Sequence, residues 1–310
     1  MIENFEQMKA LLQSAQQHRP VVCVAAAADR AIIEAVKALQ EQDLAEAILT
    51  GDESRILRLC QEAGVRKIPP IIAAEGEEDA AQKAAALTGA GGAQVLMKGQ
   101  VNSSVFLRAV LREENGLRSG GLLCHLAVFQ LPDGKRLQFH TDGGMNLFPD
   151  LEKKRQILEL SVAALHRLGI ECPNVAALSA NEIVNPKVPS SVDAAQLQAL
   201  CQEGAISGCV VEGPVAMDVA LSCEAAAHKG IQSRISGRTD LFLMPNIEAG
   251  NLVGKALMYC AGAKMAGVVL GAACPVVMTS RADGAEAKLN SLVLALALCA
   301  DRRQEEVHRL

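Results

Sequence analysis

The feature that most constrains this chain is a recurring alternation. Short runs of β-branched and apolar residues are each followed by a segment whose apolar residues recur at helical spacing. "PVVCVAAAAD" at 20–29 reads as a strand, and Asp29 then caps a helix whose apolar positions Ile32, Ile33, Val36 and Leu39 share one face. "AEAILTGD", "PPIIAA" and "AQVLMKG" repeat the theme. A helix between successive strands predicts parallel βαβ units, with helices on both faces of the sheet.

Near residue 117 the rhythm changes. "GGLLCHLAVFQLPDGKRLQFHTDGG" reads as two or three strands, one pair joined at Asp133-Gly134, an antiparallel interlude between parallel halves. "DLEKKRQILELSVAALHRLG" then restarts the helices, and strands follow at "NVAALSA", "SGCVVEG", "TDLFLMPN" and "AGVVLGA". A length of 310 residues exceeds the usual single core. The expectation is a two-lobed α/β fold with parallel and mixed sheets. Its first lobe is formed by 1–130 plus 280–310 and its second by 131–279, with a ligand cleft between them.

Several classes of function are excluded. Lys+Arg number 30 against Asp+Glu 35, a net charge of −5, and no basic block is present to follow a nucleic-acid backbone. Six Phe, one Tyr and no Trp leave few stacking platforms for bases. Nucleic acid is therefore not an expected partner. The N-terminal stretch has acids and no apolar signal region, and the longest uncharged stretch, 265–280, is shorter than a span of about 20 residues and contains Gly and Pro. The expectation is a cytoplasmic protein with no membrane association. Ten cysteines lie scattered, mostly in apolar runs and without a Cys-x-x-Cys pair, as buried thiols in a reducing compartment would.

No Gly-x-Gly-x-x-Gly follows a strand, and no Gly-x-x-x-x-Gly-Lys-[Ser/Thr] occurs. The histidines show no metal-ligand spacing. Cys124 and His125 are neighbours, but adjacent strand residues point to opposite faces and cannot form a dyad.

What remains is a set of strand-to-helix junctions carrying cations and hydroxyls. In "PVVMTSRADGAEAKLNS", 275–291, Thr-Ser-Arg lies between a strand and a helix whose apolar stripe is Leu289, Leu292, Val293 and Leu296. A helix N-terminus offers free N–H groups and a positive dipole end, and Arg281 adds a planar fork of donors suited to phosphate. The competing reading makes Ser280 a helix cap with Asp283 at the third helical position. "LMKGQVNSSVFLR" likewise ends a strand in Lys98-Gly99 and enters a helix at Asn102, Ser103 and Ser104, with Arg108 a turn later. "GLRSGG" sets Arg118 among small residues, and "MPNIEAGNLVGK" again runs strand, turn, helix.

"VEGPVAMDVALSCEAAAHKGI", "GRTDLFLMPNIEAGNLVGKAL", "AGVVLGAACPVVMTSRADGAEAKLNS" and "VLMKGQVNSSVFLR" together resemble the phosphate acetyltransferase and phosphate butyryltransferase family, the butyryl branch more closely. The resemblance implies a fold like isocitrate and isopropylmalate dehydrogenases, with the active site in the cleft. It also implies reversible transfer of a short acyl group between coenzyme A and inorganic phosphate, both substrates, with no cofactor or metal, in a homo-oligomer. By resemblance Arg281 binds the phosphoryl group and Ser280 bonds the reacting carbonyl or phosphate oxygen. Lys98, Asn102, Ser103, Arg108, Arg118, Asn246 and Asn251 make up the candidate phosphate and coenzyme A contacts.

One departure concerns the thiol proton. The acetyl branch carries an Asp seven residues after the Ser, where this chain has Ala287. Glu286 and Asp283, read as neighbours at the start of one helix, are the nearby carboxylates, Glu286 expected to handle the proton and Asp283 to cap. Two rival readings are a decarboxylating dehydrogenase of the same fold, which needs an aspartate cluster, and a non-catalytic acyl-CoA sensor. No Asp-x-x-x-Asp occurs, and the intact Ser280-Arg281 argues against the sensor.

Overall fold

A computed structural model of the chain describes residues 2–15, 19–132, 134 and 136–300. It divides into two compact units, a first built from residues 4–121 and the segment from 265 onward, and a second built from 122–264 with the residues before 4. Asp133, expected in a turn, lies outside the described residues.

The first unit opens with α1 (Phe5–Ala15), β1 (Val21–Ala25), α2 (Arg30–Glu41), β2 (Glu46–Gly51) and α3 (Glu53–Glu62). It continues with β3 (Ile71–Ala73), α4 (Gly76–Gly89), β4 (Val95–Lys98) and α5 (Ser103–Leu111). The second unit holds β5 (Cys124–Gln130), β6 (Gln138–Thr141), α6 (Leu151–Arg167), β7 (Asn174–Leu178) and α7 (Pro189–Gln202). It ends with β8 (Val210–Val215), α8 (Met217–Leu221), α9 (Cys223–His228), β9 (Leu241–Leu243) and α10 (Ile247–Tyr259). Back in the first unit the chain forms β10 (Lys264–Leu270), β11 (Val276–Val277) and α11 (Ala285–Cys299).

Short polar residues fix several of the helix starts. Asp29 accepts from the Ile32 N–H at 3.1 Å, Asp52 from Arg55 at 3.0 Å and Asp150 from Lys153 at 2.9 Å. The first unit's sheet runs β3-β2-β1-β4-β11-β10, parallel except that β10 opposes β11. Its core is formed by Val22, Val24, Leu96 and Met97 on the strands and Ile32, Ile33 and Leu39 of α2. The α11 helix is buried on every side from Lys288 to Leu298, against α1, α2 and β4, which explains why its sequence is apolar well beyond one stripe.

The second unit's strands run β5-β6-β9-β7-β8. The β5–β6 pair is antiparallel and the other neighbours are parallel, so the antiparallel interlude opens this unit. Cys124 is fully buried, and burial above all pushes its thiol up to about 12, so it stays protonated at neutral pH.

His140 on β6 sits between the rings of Phe129 and Phe242, centroids 4.9 and 4.8 Å away, and is 3% exposed. Burial lowers its imidazole from 6.5 to about 3. The unfolded chain therefore binds a proton below about 6.5 that the folded chain refuses until about 3, so this site's stability is present above that range and is lost as pH falls through it. Urea unfolding between pH about 7 and about 4 should show a loss of up to about 1.4 kcal/mol per pH unit that His140→Leu flattens. Parallel slopes in the two proteins would place the responsible proton elsewhere.

Candidate functional site

In the first unit β1, β4 and β11 are parallel, so their C-terminal ends open onto one edge of the sheet. That edge is where open α/β sheets hold ligands. The exits of β1 and β4 touch there. The Gly99 N–H donates to the Ala25 carbonyl at 2.8 Å, and a Cβ on Gly99 would lie 2.4 Å from the carbonyl oxygens of both Ala25 and Ala26. Only glycine fits that approach.

Lys98, the last residue of β4, lies opposite Ala25 and is 5% exposed. Its ammonium donates to the Val101 carbonyl at 2.9 Å and the Gly99 carbonyl at 3.3 Å, and it forms no ion pair among the described residues. Desolvation first, then the like charges of Arg281 and Lys288, hold this amine below the usual lysine range, with Glu77 acting in the opposite sense.

Beside it, β11 runs into Thr279, Ser280 and Arg281. These residues do not cap α11, contrary to the capping reading. The helix begins at Ala285 with Gly284 as its N-cap. Asp283 precedes it, 7% exposed, and turns back instead: its Oδ2 accepts the Ser280 N–H at 2.8 Å, and its own N–H donates to the Ser280 carbonyl at 3.1 Å. The Ser280 hydroxyl oxygen accepts from Ala282 N–H at 3.3 Å. Asp283 and Glu286 thus do not share a helix face: Asp283 is buried in the turn, while Glu286 is exposed in the first turn of α11. Arg281 is exposed and forms no ion pair among the described residues. Lys288, which sequence reasoning missed, is 4% exposed and donates to the Asp283 carbonyl. A lysine interrupting the apolar run "AKLNSLVLALAL" was the available signal.

Asn102 caps α5, its Oδ1 accepting from the Ser104 N–H at 3.0 Å and hydroxyl at 2.9 Å, while its own N–H donates to Glu77 at 2.7 Å. Ser103 and Arg108 are exposed on α5. Arg118 is engaged by Glu113 at 2.7 Å, and its backbone bridges to Ala272, just before β11.

Asn246 and Asn251 belong to the second unit and serve its architecture. Asn246 caps α10, accepting from Ala249 N–H at 2.9 Å, and the Asn251 amide reaches the Gly143 carbonyl at 3.4 Å. The loop they meet hangs on Asp142, which is 2% exposed. One of its carboxylate oxygens accepts from the N–H groups of Gly144 and Met145 at 2.7 and 2.9 Å. The other accepts from the His125 and Asn146 N–H groups and the Asn146 side-chain amide at 3.2, 3.3 and 2.6 Å. At the ends of β7 and β9 a cavity of about 790 Å³ is walled by Leu178, Met217, Met244 and Val253, with the Lys154–Asp193 pair (2.7 Å) at its side.

Residues 58–296 match the family model described as phosphate acetyl/butaryl transferase. The chain is 42% identical to a phosphate butyryltransferase of Clostridium acetobutylicum over 97% of its length and all of that protein. It is 39% identical to a phosphate acetyltransferase of Thermotoga maritima, over 93% of this chain and 98% of that one. The crystal structure of a branched-chain phosphotransacylase from Enterococcus faecalis V583 superposes with a TM-score of 0.81 at 31% identity, covering 90% of this chain and 99% of that one. The turn carrying Ser280 and Arg281 and the strand ending in Lys98 both fall inside the matched region, and the chain belongs to the phosphate acetyl/butaryl transferase family.

Proposed function

We propose that this protein moves a short acyl group, butyryl favoured, reversibly between coenzyme A and inorganic phosphate, as a cytoplasmic homo-oligomer needing no cofactor. The observation that carries the reading is the Ser280–Arg281 turn at the C-terminal strand edge, with the buried Lys98, which forms no ion pair among the described residues, in the same field. Arg281 offers a guanidinium fork to phosphate, and the Ser280 hydroxyl, whose hydrogen is not used by the turn, donates to the carbonyl or phosphate oxygen on which charge develops. Asp283 holds the Ser280 backbone and so positions the hydroxyl. In the forward direction the acyl–sulfur bond breaks as the acyl–oxygen bond to phosphate forms, and the proton lost by phosphate ends on the thiolate. Glu286 handles that proton. Positioning and electrostatics supply the rest without a covalent intermediate.

Thiol release from butyryl-CoA, assayed with and without phosphate, tests the reading. Release that needs phosphate and yields acyl phosphate supports it. Binding without turnover would mark a sensor, and turnover only with a nicotinamide cofactor would mark a dehydrogenase. A series from acetyl- to octanoyl-CoA at fixed phosphate should give kcat/KM for butyryl-CoA above that for acetyl-CoA by about tenfold or more. A preference for acetyl-CoA would move the chain to the acetyl branch.

A further inference from the structure

Three cysteines come together at the N-terminal ends of β7 and β8, the edge of the second unit's sheet opposite the cavity. Cys172 precedes β7 and Cys209 precedes β8, strands that run parallel with Asn174 opposite Val210, and the Val210 N–H donates to the Pro173 carbonyl at 3.0 Å. Cys201 stands in the last turn of α7, and its Sγ donates to the Cys209 carbonyl at 3.5 Å. The thiols of Cys201 and Cys209 are also hydrogen-bonded to each other, with Cys172 near enough for its charge to act on Cys209. Both ends of the intervening loop are held. The Leu200 carbonyl accepts the Ala205 and Ile206 N–H groups at 2.9 and 3.1 Å, and the His166 ring donates to the Gly208 carbonyl at 2.7 Å. The fold thus keeps the two sulfurs in contact. Their exposure differs: Cys201 is half-buried and Cys209 buried. Burial first, and then Cys201, push the Cys209 thiol up to about 12, so Cys209 is not the thiol that meets a reagent from solvent.

We propose that Cys201 and Cys209 are an oxidant-responsive pair, which closes into a disulfide when a hydroperoxide reaches Cys201. The Cys201 thiolate attacks the peroxide, whose O–O bond breaks to leave a sulfenic acid on Cys201 and an alkoxide that takes up the proton Cys201 has lost. The Cys209 sulfur then attacks the sulfenic sulfur. The S–S bond forms, the S–O bond breaks, and hydroxide leaves with the Cys209 proton as water. The two thiols give up two electrons and two hydrogens, and the peroxide becomes an alcohol and water. Contact between the sulfurs favours the second step, and the scarcity of Cys209 thiolate slows it, so closure takes minutes to hours. The bond would clasp the end of α7 to the entry of β8 and restrict the unfolded chain. Cys172 stays outside the pair, because only Cys201 has its sulfur on both the thiol and the carbonyl of Cys209.

The test is mass spectrometry of the full chain after hydrogen peroxide treatment, with the remaining thiols alkylated in denaturant. Cleavage after Glu203 separates the two cysteines, so a disulfide is read as two fragments that stay joined until dithiothreitol parts them. The folded wild type and Cys172→Ser should both give the Cys201–Cys209 fragment pair, and the same peroxide dose in urea should give at least about tenfold less, since unfolding removes the contact. Cys201→Ser should give none. The urea midpoint of the oxidised wild type should rise and return on reduction. A bond from Cys172 to either partner in place of Cys201–Cys209 would overturn the pairing. Equal yields in buffer and in urea would show that the fold does not prepare it. Cys201 carried to sulfinic acid while Cys209 is still alkylated would reject the closing step, and a bond that leaves the midpoint unchanged would reject the clasp. These readouts use the wild type as well as the variants, so they decide the matter even if a serine variant failed to fold.

Discussion

Arg281→Lys should raise the phosphate concentration needed for half-maximal turnover by about tenfold to a hundredfold, while leaving the acyl-CoA requirement within about twofold. The charge survives this substitution, so long-range attraction is kept. What is lost is the pair of parallel N–H donors that a guanidinium presents to two phosphate oxygens at once. Arg281 is exposed and carries no ion pair among the described residues, so its replacement removes no structural contact that could confuse the result. Steady-state kinetics with each substrate varied in turn read the effect. Equal losses for both substrates would remove Arg281 from the phosphate site, and a fall in thermal stability would make it a structural residue.

Asp142→Asn should destabilise the second unit by about 3 kcal/mol or more. The substitution is nearly isosteric, and its effect comes from hydrogen-bond polarity. Every group facing the two carboxylate oxygens is a donor: Gly144 and Met145 on one side, His125 and Asn146 on the other. Whichever way the new amide is turned, its NH₂ points at donors, and at least two N–H groups lose their acceptor in a site 2% exposed. Urea unfolding compares the two proteins, and a difference below about 1 kcal/mol would mean that the loop relaxes to find other acceptors. Because the loop touches α10 through Asn251, the damage should extend to the start of that helix.

Much of the fold was legible because its signals are local. The strand at Val21–Ala25 and the helix after it follow from one β-branched run and one capping aspartate, and the structure repeats them with the Asp29 bond in place. The start of α11 was not legible. Ser280 and Asp283 have the spacing of a capping pair, and only the turn's geometry shows that the carboxylate meets the N–H of Ser280 itself while Gly284 takes the cap. Lys288 interrupts an apolar run, but its burial follows from packing on all sides of α11, a property of the folded unit. Asp142 lies at the end of the segment read as two or three strands, with nothing there to mark its role. One of its donors, His125, comes from seventeen residues away, beyond any local pattern. Lys98 ends β4 and Arg281 lies in the turn between β11 and α11, places that the strand-to-helix alternation marks in the sequence.

The first unit is discontinuous, and this bears on how the protein is made. A ribosome that has released residues 122–264 has supplied every strand and helix of the second unit. At that moment the first unit still lacks β11, the strand that flanks β4, and α11, against which α1 and α2 pack. Val22, Leu96 and their neighbours then form a sheet with an open edge and an uncovered apolar face. The part of the chain synthesised first is thus completed last, and domains that wait in this way are the ones chaperones must shield. The serine and arginine turn, lying between β11 and α11, is assembled in that final step, so a chain released before α11 lacks the element that closes this turn.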